Sequence, residues 1–503
     1  MSDNETAPHF LYTAQQVRDI DSSAIKEMTE QGIENAGFDL MQGAGASVFN
    51  ELKQVFRQVG NQIHVFCGGG NNAGDGFVVA SLALRQELSV KVYALSDVEK
   101  LQGDAQQAYQ LFKNSGGQLS ELPSELKLGV VIDALFGTGL DRDVGGDYLT
   151  AINLINESGL PVLAVDIASG LNADTGCAMG VAVKASKTIS FIALKQGLYT
   201  ADGPELSGEV ILDDLAVAED IVKQQVSQAE LVQFEVISKT LKPRQKNSHK
   251  GSFGHLLLIG GTAGFSGAIR LAGEAALRTG AGLVSIASRP EHAGLINITR
   301  PELMCHGVDN RQQLASLAKQ ASVLAIGPGL GQSAWSVGLF EAAIEFNKPI
   351  VIDADGLNIL SQTSLQGENH VLTPHPGEAA RLLACSTAEI QQDRFAAIKA
   401  LQQKYKGVVI LKGSGSLLYD GQGSVEICQA GNAGMASGGM GDVLTGVIAG
   451  LLAQGYALKT AARLAMLIHA TAADIAAKEG ERGLLASDLF TPIRQLVNPQ
   501  IVE

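Results

Sequence analysis

Short apolar runs alternate with amphipathic stretches along the whole chain, and most of the runs end in a glycine-rich turn. A short apolar run followed by a helical pattern is typical of parallel strands joined by helices. In the first half the predicted strands lie at 62–66, 90–94, 130–133, 162–166 and 188–192, after helices at 14–30 and 37–58. In the second half they lie at 255–259, 284–287, 323–326, 350–353, 370–372 and 408–411. The pattern therefore predicts an α/β protein.

The alternation of predicted strands and loops stops between 218 and 252. This segment contains the run KPRQKNSHKGS, in which basic residues and turn formers are concentrated. We place a domain boundary near residue 230 and predict two domains, 1–225 and 226–503. We interpret the basic segment as a solvated linker. The alternative is that Lys250, beside the first strand of the second domain, contacts a phosphate.

Composition narrows the class of protein. Lys and Arg total 37 against 52 Asp and Glu, and the resulting net charge of -15 has the wrong sign for binding nucleic acid through its phosphates. The five cysteines contain no CxxC pair, and the longest apolar run, 443–453, is too short to span a membrane. We expect a soluble cytoplasmic protein that acts on small molecules, without nucleic-acid or membrane partners, as a homo-oligomer.

The run CGGGNNAGDGFVVASLAL is the first segment with candidate chemistry. It ends a strand at Cys67, turns through three glycines and is predicted to open a helix at about Gly76. Backbone N–H groups at a helix N-terminus bind anions, and the helix dipole favours a phosphate there. Asn71, Asn72 and Asp75 add side-chain oxygens to the same turn. The spacing matches neither the dinucleotide fingerprint nor a Walker A loop, and the alternative is an Asx-rich turn capped by Asp75.

Two later strands of the first half end in polar side chains. Asp133 closes VVID ahead of a glycine loop, and Asp166 and Ser169 follow the strand VLAV. Because parallel sheets bind ligands outside the carboxyl ends of their strands, we expect these loops to meet in one crevice. Asn72, Asp133 and Ser169 would then offer hard oxygens to an alkali or alkaline-earth cation, while Asp166 faces a substrate. Each aspartate taken alone is also typical of an ordinary turn.

The segments NNAGDG, DALFGTGL and DIASGL together resemble the YjeF N-terminal family, whose enzymes epimerise the hydrated nicotinamide cofactors NADHX and NADPHX. The resemblance covers about residues 10–220 and implies a Rossmann-like fold, a K+ site at Asn72, Asp133 and Ser169, and a catalytic Asp166. It assigns NAD(P)HX binding to Asn71, Asn72, Ala73, Gly74, Asp75, Gly137, Thr138, Gly139, Leu140, Asp141, Arg142, Asp143 and Asp166. The family also contains RNA-associated scaffold relatives, so the alternative is a non-catalytic binding module.

In the second half, the run GNAGMASGGMGDVLTG places four glycines before Asp442 at the start of an apolar helix. A nest of backbone N–H groups stabilises a migrating phosphoryl group, and a carboxylate beside it can accept the proton of an attacking hydroxyl. The alternative is that Asp442 only caps the helix. Upstream, LKGSGSLL ends a strand at Lys412 and turns at Ser416, which predicts a phosphate-binding loop or, alternatively, a plain β-hairpin turn.

Three further segments end strands in rigid or glycine-rich loops. In TPHPGEAARLL two prolines fix the backbone around His375 ahead of a helix containing Glu378. AIGPGLG and GGTAGFSGAIRLAG each leave a strand through glycines, which admits a ligand close to the backbone. Each of these segments is also consistent with a simple helix start.

GMGD, KGSGS and DADGLN resemble the ribokinase-like superfamily, and TPHPGE with GPGLG is similar to its YjeF C-terminal branch of ADP- or ATP-dependent (S)-NAD(P)HX dehydratases. The similarity covers about residues 235–500. It implies ADP as co-substrate, Mg2+ on the phosphates and Asp442 as catalytic base. It assigns NAD(P)HX to Ala268, Gly329, His375 and Asp442, and the adenine nucleotide to Lys412, Gly413, Ser414, Gly415, Ser416 and Gly441.

Both halves in this order resemble the bifunctional NAD(P)H-hydrate repair enzymes. The resemblance implies two three-layer α/β/α domains, a Rossmann-like epimerase at 1–225 and a ribokinase-like dehydratase at 226–503. The alternative for the second half is a small-molecule kinase, such as a hydroxymethylpyrimidine or sugar kinase, because GMGD serves those enzymes equally well. TPHPGE is the main argument against it.

Overall fold

The computed structural model of the protein describes residues 10–59, 62–363 and 365–498. The chain divides into two compact units, one within residues 9–230 and the other from residue 231 onward. Each unit has its own cluster of buried apolar side chains. Within the described residues, no helix has the length and apolar character needed to cross a membrane.

The first unit is a six-stranded parallel sheet with helices packed against it. Its order is β3-β2-β4-β5-β6-β8, and every neighbouring pair is parallel. The elements up to the boundary are β1 (Phe10–Tyr12), α1 (Ala14–Glu30), α2 (Ala36–Val59), β2 (Ile63–Cys67), α3 (Asn71–Arg85), β3 (Val90–Ala94), α4 (Gly103–Asn114), β4 (Val130–Ala134), α5 (Gly146–Ser158), β5 (Val162–Val165), β6 (Lys187–Phe191), β7 (Leu194–Lys195), α6 (Gly203–Ser207), β8 (Glu209–Asp213), α7 (Glu219–Val222) and β9 (Ala229–Leu231).

The second unit is built on a nine-stranded run of a mixed sheet, ordered β12-β11-β10-β13-β14-β15-β16-β17-β18. The strands are parallel as far as β16, and β17 and β18 are antiparallel. Its elements are α8 (Glu235–Thr240), β10 (His255–Ile259), α9 (Ser266–Thr279), β11 (Leu283–Ser288), α10 (Pro290–Ile296), β12 (Met304–Gly307), α11 (Arg311–Gln320), β13 (Val323–Ile326), α12 (Ala334–Glu345), β14 (Ile350–Ile352), α13 (Ala354–Leu360), β15 (His370–Leu372), α14 (Pro376–Leu383), α15 (Thr387–Gln392), α16 (Arg394–Tyr405), β16 (Val408–Leu411), β17 (Ser416–Tyr419), β18 (Val425–Cys428), α17 (Met440–Ala453), α18 (Leu458–Ala476) and α19 (Phe490–Leu496).

The predicted α/β class is confirmed, and each strand predicted from the sequence is present. These strands were visible because a central parallel strand is covered on both faces and therefore reads as a continuous apolar run. All five residues of β2 and all four of β16 are buried. The strands that the pattern missed, such as β8 and β12, carry half-exposed residues and lie at the sheet edges.

Both sheets reverse their order of strand addition at one place. In the first unit the chain moves outward from β2 to β3 and then continues on the other side from β4, and in the second unit the same reversal separates β10 from β13. The loops that leave two such strands diverge and open a crevice at the carboxyl ends. Each unit therefore has one topological position at which a ligand site is expected.

Candidate active sites

The first crevice is formed by the loop after β2 and the first turns of α3. Gly70 caps the helix in an extended conformation, and the helix begins at Asn71, so the predicted helix start at Gly76 is wrong. Gly76 packs against β4, where an added Cβ would lie 2.7 Å from the Ala134 Cβ. That glycine therefore serves close helix–sheet packing and does not form a turn. Asp75 is buried inside the helix, so the alternative of a helix cap is also wrong.

The three residues expected to hold a cation lie together around the backbone of Phe136. The Asn72 Nδ2 donates to the Phe136 carbonyl at 3.0 Å, and the Ser169 Oγ accepts from the Phe136 N–H at 2.8 Å. The Ser169 N–H donates to the Asp133 Oδ2 at 2.8 Å, and the Leu135 N–H donates to Oδ1 at 3.3 Å. Loops after β2, β4 and β5 thus converge on one group of hard oxygens.

The charge of Asp133 is poorly compensated by the protein itself. Its side chain is fully buried, and the part of the chain described by the structure gives it no ion-pair partner. Burial raises the pKa of Asp133 to about 6. A buried carboxylate beside amide, hydroxyl and carbonyl oxygens is a donor set that suits a hard cation. No cluster of three or more His, Cys, Asp or Glu side chains suited to a metal occurs in the described ranges.

A cavity of about 740 Å³ opens beside this group and gathers most of the residues assigned to NAD(P)HX. Its lining includes Asn71, Asn72, Asp75, the whole loop Gly137–Asp143 and Asp166. Ala73 and Gly74 lie in the buried part of α3 and do not line the cavity. Two acidic residues that the sequence did not single out, Asp21 of α1 and Asp104 of α4, complete the wall.

Behind Asp166 lies a lysine that the motif analysis overlooked. Lys195 is fully buried, and its Nζ contacts the Asp166 carboxylate, the Ser190 Oγ at 3.0 Å and the Phe191 carbonyl at 3.1 Å. The sequence did contain a signal, because Lys195 is a single cation inside the apolar run FIALKQGLY. A lone lysine in such a run is expected to have a buried partner.

The second crevice contains a lysine between two carboxylates. The Lys412 Nζ lies 2.9 Å from the Asp353 Oδ1 and 3.7 Å from the Glu378 Oε2. The other Asp353 oxygen accepts from the Thr445 Oγ1 at 2.8 Å, which ties the end of β14 to α17. Burial opposes the charge of Lys412, yet the carboxylates of Asp353 and Glu378 outweigh it and raise its pKa. DADGLN and TPHPGE contain these carboxylates, but their pairing with Lys412 is visible only in the structure.

Asp442 stands in the first turn of α17, next to this lysine. Gly439 caps the helix with a positive φ of 93°, and no side-chain hydrogen bond caps it, so Asp442 does not act as a cap. Burial, together with the Asp353 carboxylate, raises the pKa of Asp442 to about 7. A Cβ on Gly441 would lie 3.3 Å from the Lys412 Nζ. The GMGD turn and the KGSGS turn therefore meet at one point.

The segment 412–416 is a β-hairpin turn between β16 and β17, as the plain alternative required. It nevertheless has an unusual support, because the buried guanidinium of Arg394 donates to the carbonyls of Leu411, Lys412 and Gly415. Those carbonyls are drawn towards one side of the loop. Gly413 has a φ of 145°, and a Cβ there would lie 2.6 Å from the Arg394 Nη1. The turn is therefore a hairpin with a cation fixed beneath it.

The remaining predicted residues line the same sheet edge. A Cβ on Gly329, whose φ is 56°, would lie 3.2 Å from the Ala268 Cβ, so these two residues are neighbours. His375 caps α14, with its Nδ1 accepting from the Gly377 N–H at 3.0 Å. Its Nε2 lies 3.5 Å from the Glu378 Oε1. Burial and the nearby Lys412 lower the pKa of His375, which keeps the imidazole neutral.

A wider cavity, of about 1540 Å³, lies away from these residues, around the basic segment before β10. Arg244 stacks 3.6 Å above the Phe253 ring and donates to Gln454 at 2.8 Å and to the carbonyl of Gly280, at the end of α9. Arg244 thereby stabilises the C-terminus of α9, which carries partial negative charge. The segment is therefore more than a solvated linker. Lys250 lies at the amino end of β10, opposite the glycine loops, so its proposed phosphate contact is wrong.

Comparison with known proteins gives matches over both units. Residues 37–197 match the family described as YjeF-related protein N-terminus, and residues 256–495 match NAD(P)H-hydrate dehydratase. The chain is 46% identical over 492 residues to the bifunctional NAD(P)H-hydrate repair enzyme Nnr of Coxiella burnetii, covering 97% of this chain and 99% of the relative. It is 41% identical over 469 residues to the protein of that name from Escherichia coli (strain K12), covering 93% and 90%.

A solved structure matches the second half. A ribokinase-like superfamily protein from Enterococcus faecalis V583 superimposes with a TM-score of 0.51 and 28% identity, over 55% of this chain and 97% of that chain. This similarity confirms the ribokinase-like fold predicted there.

Proposed function

The chain belongs to the family of bifunctional NAD(P)H-hydrate repair enzymes, and we propose on that premise that it recovers NADH and NADPH from their hydrates in two steps. The first unit interconverts the (R) and (S) epimers of NADHX and NADPHX. The second unit dehydrates the (S) epimer at the expense of ADP, giving AMP and phosphate. The meeting of Asp442, Lys412 and Asp353 at one sheet edge is the observation that carries this function, because phosphoryl transfer needs a base and a cation at one place.

In the first unit we assign NAD(P)HX to the cavity of about 740 Å³. We assign NAD(P)HX to Asn71–Asp75, where the N-terminus of α3 favours the phosphates, and to the loop Gly137–Asp143, whose first residue lies beside Asn72. Asp166 is the catalytic carboxylate. The assignment is supported because Asn71, Asn72, Asp75, the loop Gly137–Asp143 and Asp166 line one cavity, whereas Ala73 and Gly74 lie behind its wall.

K+ fits the oxygens of Asn72, Asp133 and Ser169 because no described residue supplies a cation to the buried Asp133. The ion would neutralise Asp133 and fix the Phe136 turn, from which the loop Gly137–Asp143 begins. Its contribution is therefore to order the substrate wall.

In the second unit we assign NAD(P)HX to Ala268, Gly329, His375 and Asp442. The assignment gives ADP to the hairpin 412–416 and to Gly441. Asp442 accepts the proton of the C6 hydroxyl as that oxygen attacks the terminal phosphoryl of ADP, and AMP leaves with the electrons of the broken P–O bond. Phosphate then leaves C6 and a proton leaves C5, which restores the double bond. A pKa of about 7 suits Asp442 to this task near neutral pH.

Mg2+ fits this site because Asp353, Glu378 and Asp442 together carry more negative charge than Lys412 neutralises. Such an ion is held mainly by nucleotide phosphates with one or two carboxylates, and it would supply charge neutralisation at the transferred phosphoryl. Lys412 contributes a fixed cation to the same task.

The proposal extends to the setting in which the enzyme works. We assign the epimerase to 1–225 and the dehydratase to 226–503, and we place the protein in the cytoplasm as a homo-oligomer without nucleic-acid or membrane partners. Its five cysteines are free, which is consistent with a reducing compartment. The acidic charge of -15 disfavours polyanionic partners.

One assay separates the proposed function from its alternatives. Purified protein is incubated with mixed NADHX epimers, and NADH absorbance is followed with ADP, with ATP and without nucleotide. We expect complete recovery of both epimers with ADP. Recovery of the (S) epimer alone would reduce the first unit to a binding module, and no recovery together with phosphorylation of a small alcohol would favour a kinase.

A further inference from the structure

The fully buried Lys195 has a position that the substrate assignment does not explain. Burying an ammonium group is costly unless it is paired and fully hydrogen-bonded. The Lys195 Nζ meets that condition through Asp166, Ser190 and Phe191. Lys195 does not line the cavity of the first unit, whereas Asp166 does. Any effect of Lys195 on the reaction therefore passes through the Asp166 carboxylate.

Asp166 is held in place from two directions. Its Oδ1 contacts Lys195 and also accepts from the Phe191 N–H at 3.2 Å, and no described residue donates to Oδ2. Its backbone has a φ of 67°, in the left-handed region that a non-glycine residue rarely adopts. Strain of this kind persists where the surroundings enforce it, often at a functional position. Asp166 is thus a carboxylate that is paired with an ammonium group through Oδ1 and has its other oxygen available to the cavity.

Asp75 lines the same cavity but, unlike Asp166, it is not paired with a cation of any described residue. It is buried within α3, and the described part of the chain gives it no ion-pair partner. Burial, together with the Asp166 and Asp21 carboxylates, raises the pKa of Asp75 well above its usual range. The other charged groups at the cavity, on α1, α4 and the loop after β4, are Arg18, Asp21, Asp104, Asp141, Arg142 and Asp143. Asp75 therefore holds a proton more tightly than an ordinary exposed aspartate does.

We propose that Lys195 is a positioning residue that separates two carboxyl groups of one cavity into a base and an acid: Asp166, which is paired with the ammonium group, acts as the base, and Asp75, which has no cation partner among the described residues, acts as the acid. The inference rests on the proposed epimerase function of the first unit. Enzymes commonly assign acid and base roles to two carboxyl groups through their different environments.

The chemistry follows from the structure of the hydrate, in which C6 carries a hydroxyl group and the ring nitrogen N1. Asp166 takes the hydroxyl proton, the C6–O double bond forms, and the C6–N1 bond breaks. The electron pair of that bond takes the proton of Asp75. Rotation about C5–C6 then presents the other face of the carbonyl, and ring closure reverses both proton transfers. Both carboxyl groups return to their starting states, and no oxidant or co-reactant is consumed.

The test uses the full-length protein in potassium buffer, with chromatographic measurement of (R)- to (S)-NADHX conversion from pH 5 to 9. General acid–base assistance is typically worth about 10² to 10⁴ in rate. We expect a loss of at least about 100-fold at pH 7 for both Lys195→Met and Asp75→Asn. Lys195→Met also moves the acid limb of the profile to higher pH, because the ionised base has lost its partner. Asp75→Asn removes the alkaline limb, which reports loss of the protonated acid.

Lys187→Met is the matched control, because Lys187 is also a paired lysine of this unit but contacts Glu51 and Glu209 outside the cavity. We expect it to retain epimerase activity within about threefold of wild type. The rate at which each variant dehydrates pure (S)-NADHX shows whether the second unit is still folded and active, and we expect this rate to be unchanged.

The outcomes separate this inference from the proposed function. Absence of epimer conversion by the wild-type protein contradicts the proposed function itself. An active wild type with an unchanged rate and profile in Lys195→Met overturns the inference. If Lys195→Met does not fold, Asp75→Asn decides, since a retained alkaline limb would overturn the proposal and its loss would support it.

Discussion

The two units place their sites at the same topological position, yet they use lysine in opposite ways. Lys195 is fully buried behind Asp166, whereas the Lys412 side chain is 21% exposed and lies between Asp353 and Glu378 at the crevice. In the first unit the cation acts on a protein carboxylate. In the second unit it is available to a ligand as well.

This difference corresponds to what each site must bind. Epimerisation moves protons, so its requirement is one group that accepts a proton and one that donates it. Phosphoryl transfer moves a charged group, so its requirement is a cation that reaches the phosphates. The two crevices have the same topological position but serve different reactions. The difference lies in the lysine, which is buried behind a carboxylate in the first unit and partly exposed in the second.

The largest expected effect is that of Asp442→Asn, which should nearly abolish the activity of the second site and leave that of the first site unchanged. Asp442→Asn keeps the size of the side chain but cannot accept a proton, and we expect nucleotide-dependent NADH recovery to fall by about 10² to 10⁴. ADP binding, measured by calorimetry, and epimer conversion should both persist. Turnover within threefold of wild type would return Asp442 to a structural role.

A change of Lys412 tests whether its cation serves the nucleotide. Lys412→Met leaves the Asp353 and Glu378 carboxylates without their shared cation at the proposed nucleotide site. Loss of one hydrogen bond to a charged group costs about 1.5 to 3 kcal/mol, so the KM for ADP should rise about 10- to 100-fold.

The matched control is Lys459→Met, because Lys459 also bridges two carboxylates, Asp420 at 3.0 Å and Glu426 at 3.4 Å. An equal rise of KM in both variants would mean that Lys412 supports only the fold.

The cation site provides the reciprocal test in the first unit. Asp133→Asn removes the only formal charge among the three proposed ligands. Loss of a group that merely supports a metal ligand weakens binding about 10- to 100-fold, and we expect K+ binding to weaken by at least about that much. Epimer conversion, titrated with KCl in a sodium-free organic-cation buffer, should then need more K+. The dehydratase should be unaffected. Equal epimerase activity with and without K+ in the wild type would contradict the assignment.

The pH dependence of the second site follows from the pKa of Asp442. A base must be ionised, so kcat/KM for (S)-NADHX should rise with pH and level off above about 7. Below that value the rate should fall about tenfold per pH unit. Asp442→Asn should lose this dependence, while the epimerase profile of the same protein stays unchanged.

The smallest effect concerns the basic segment. Arg244→Met removes the hydrogen bonds to Gly280 and Gln454 and the contact with the Phe253 ring. We expect a loss of about 1 kcal/mol in the unfolding free energy and a fall of a few degrees in the Tm of the second unit. Lys242→Met, in the same segment, should leave the Tm unchanged. Neither variant should change the epimerase activity of the first unit.

Sequence patterns identified residues that stand at strand ends. Asn72, Asp133 and Ser169 were predictable as a group because parallel strands bring their carboxyl ends to one edge. The sequence pattern gave wrong or missing predictions at positions whose role is set by packing between distant segments. The pattern placed the start of α3 at about Gly76, but the helix begins at Asn71, and Gly76 is required by the close approach of α3 to β4. Lys195 and Arg394 were missed because a buried cation is defined by its partners, which lie 29 residues away for Lys195 and Asp166.

The hairpin above Arg394 restricts which substitutions can be accepted at Gly413 and Arg394 during evolution. A side chain at Gly413 would collide with the guanidinium, and the φ of 145° excludes it independently. Shortening Arg394 would make room but release the carbonyls of Leu411, Lys412 and Gly415. Neither substitution is rescued by the other, so no single substitution at these two positions gives a different hairpin turn. Selection for altered nucleotide preference should therefore yield variants elsewhere, with Gly413 and Arg394 both retained.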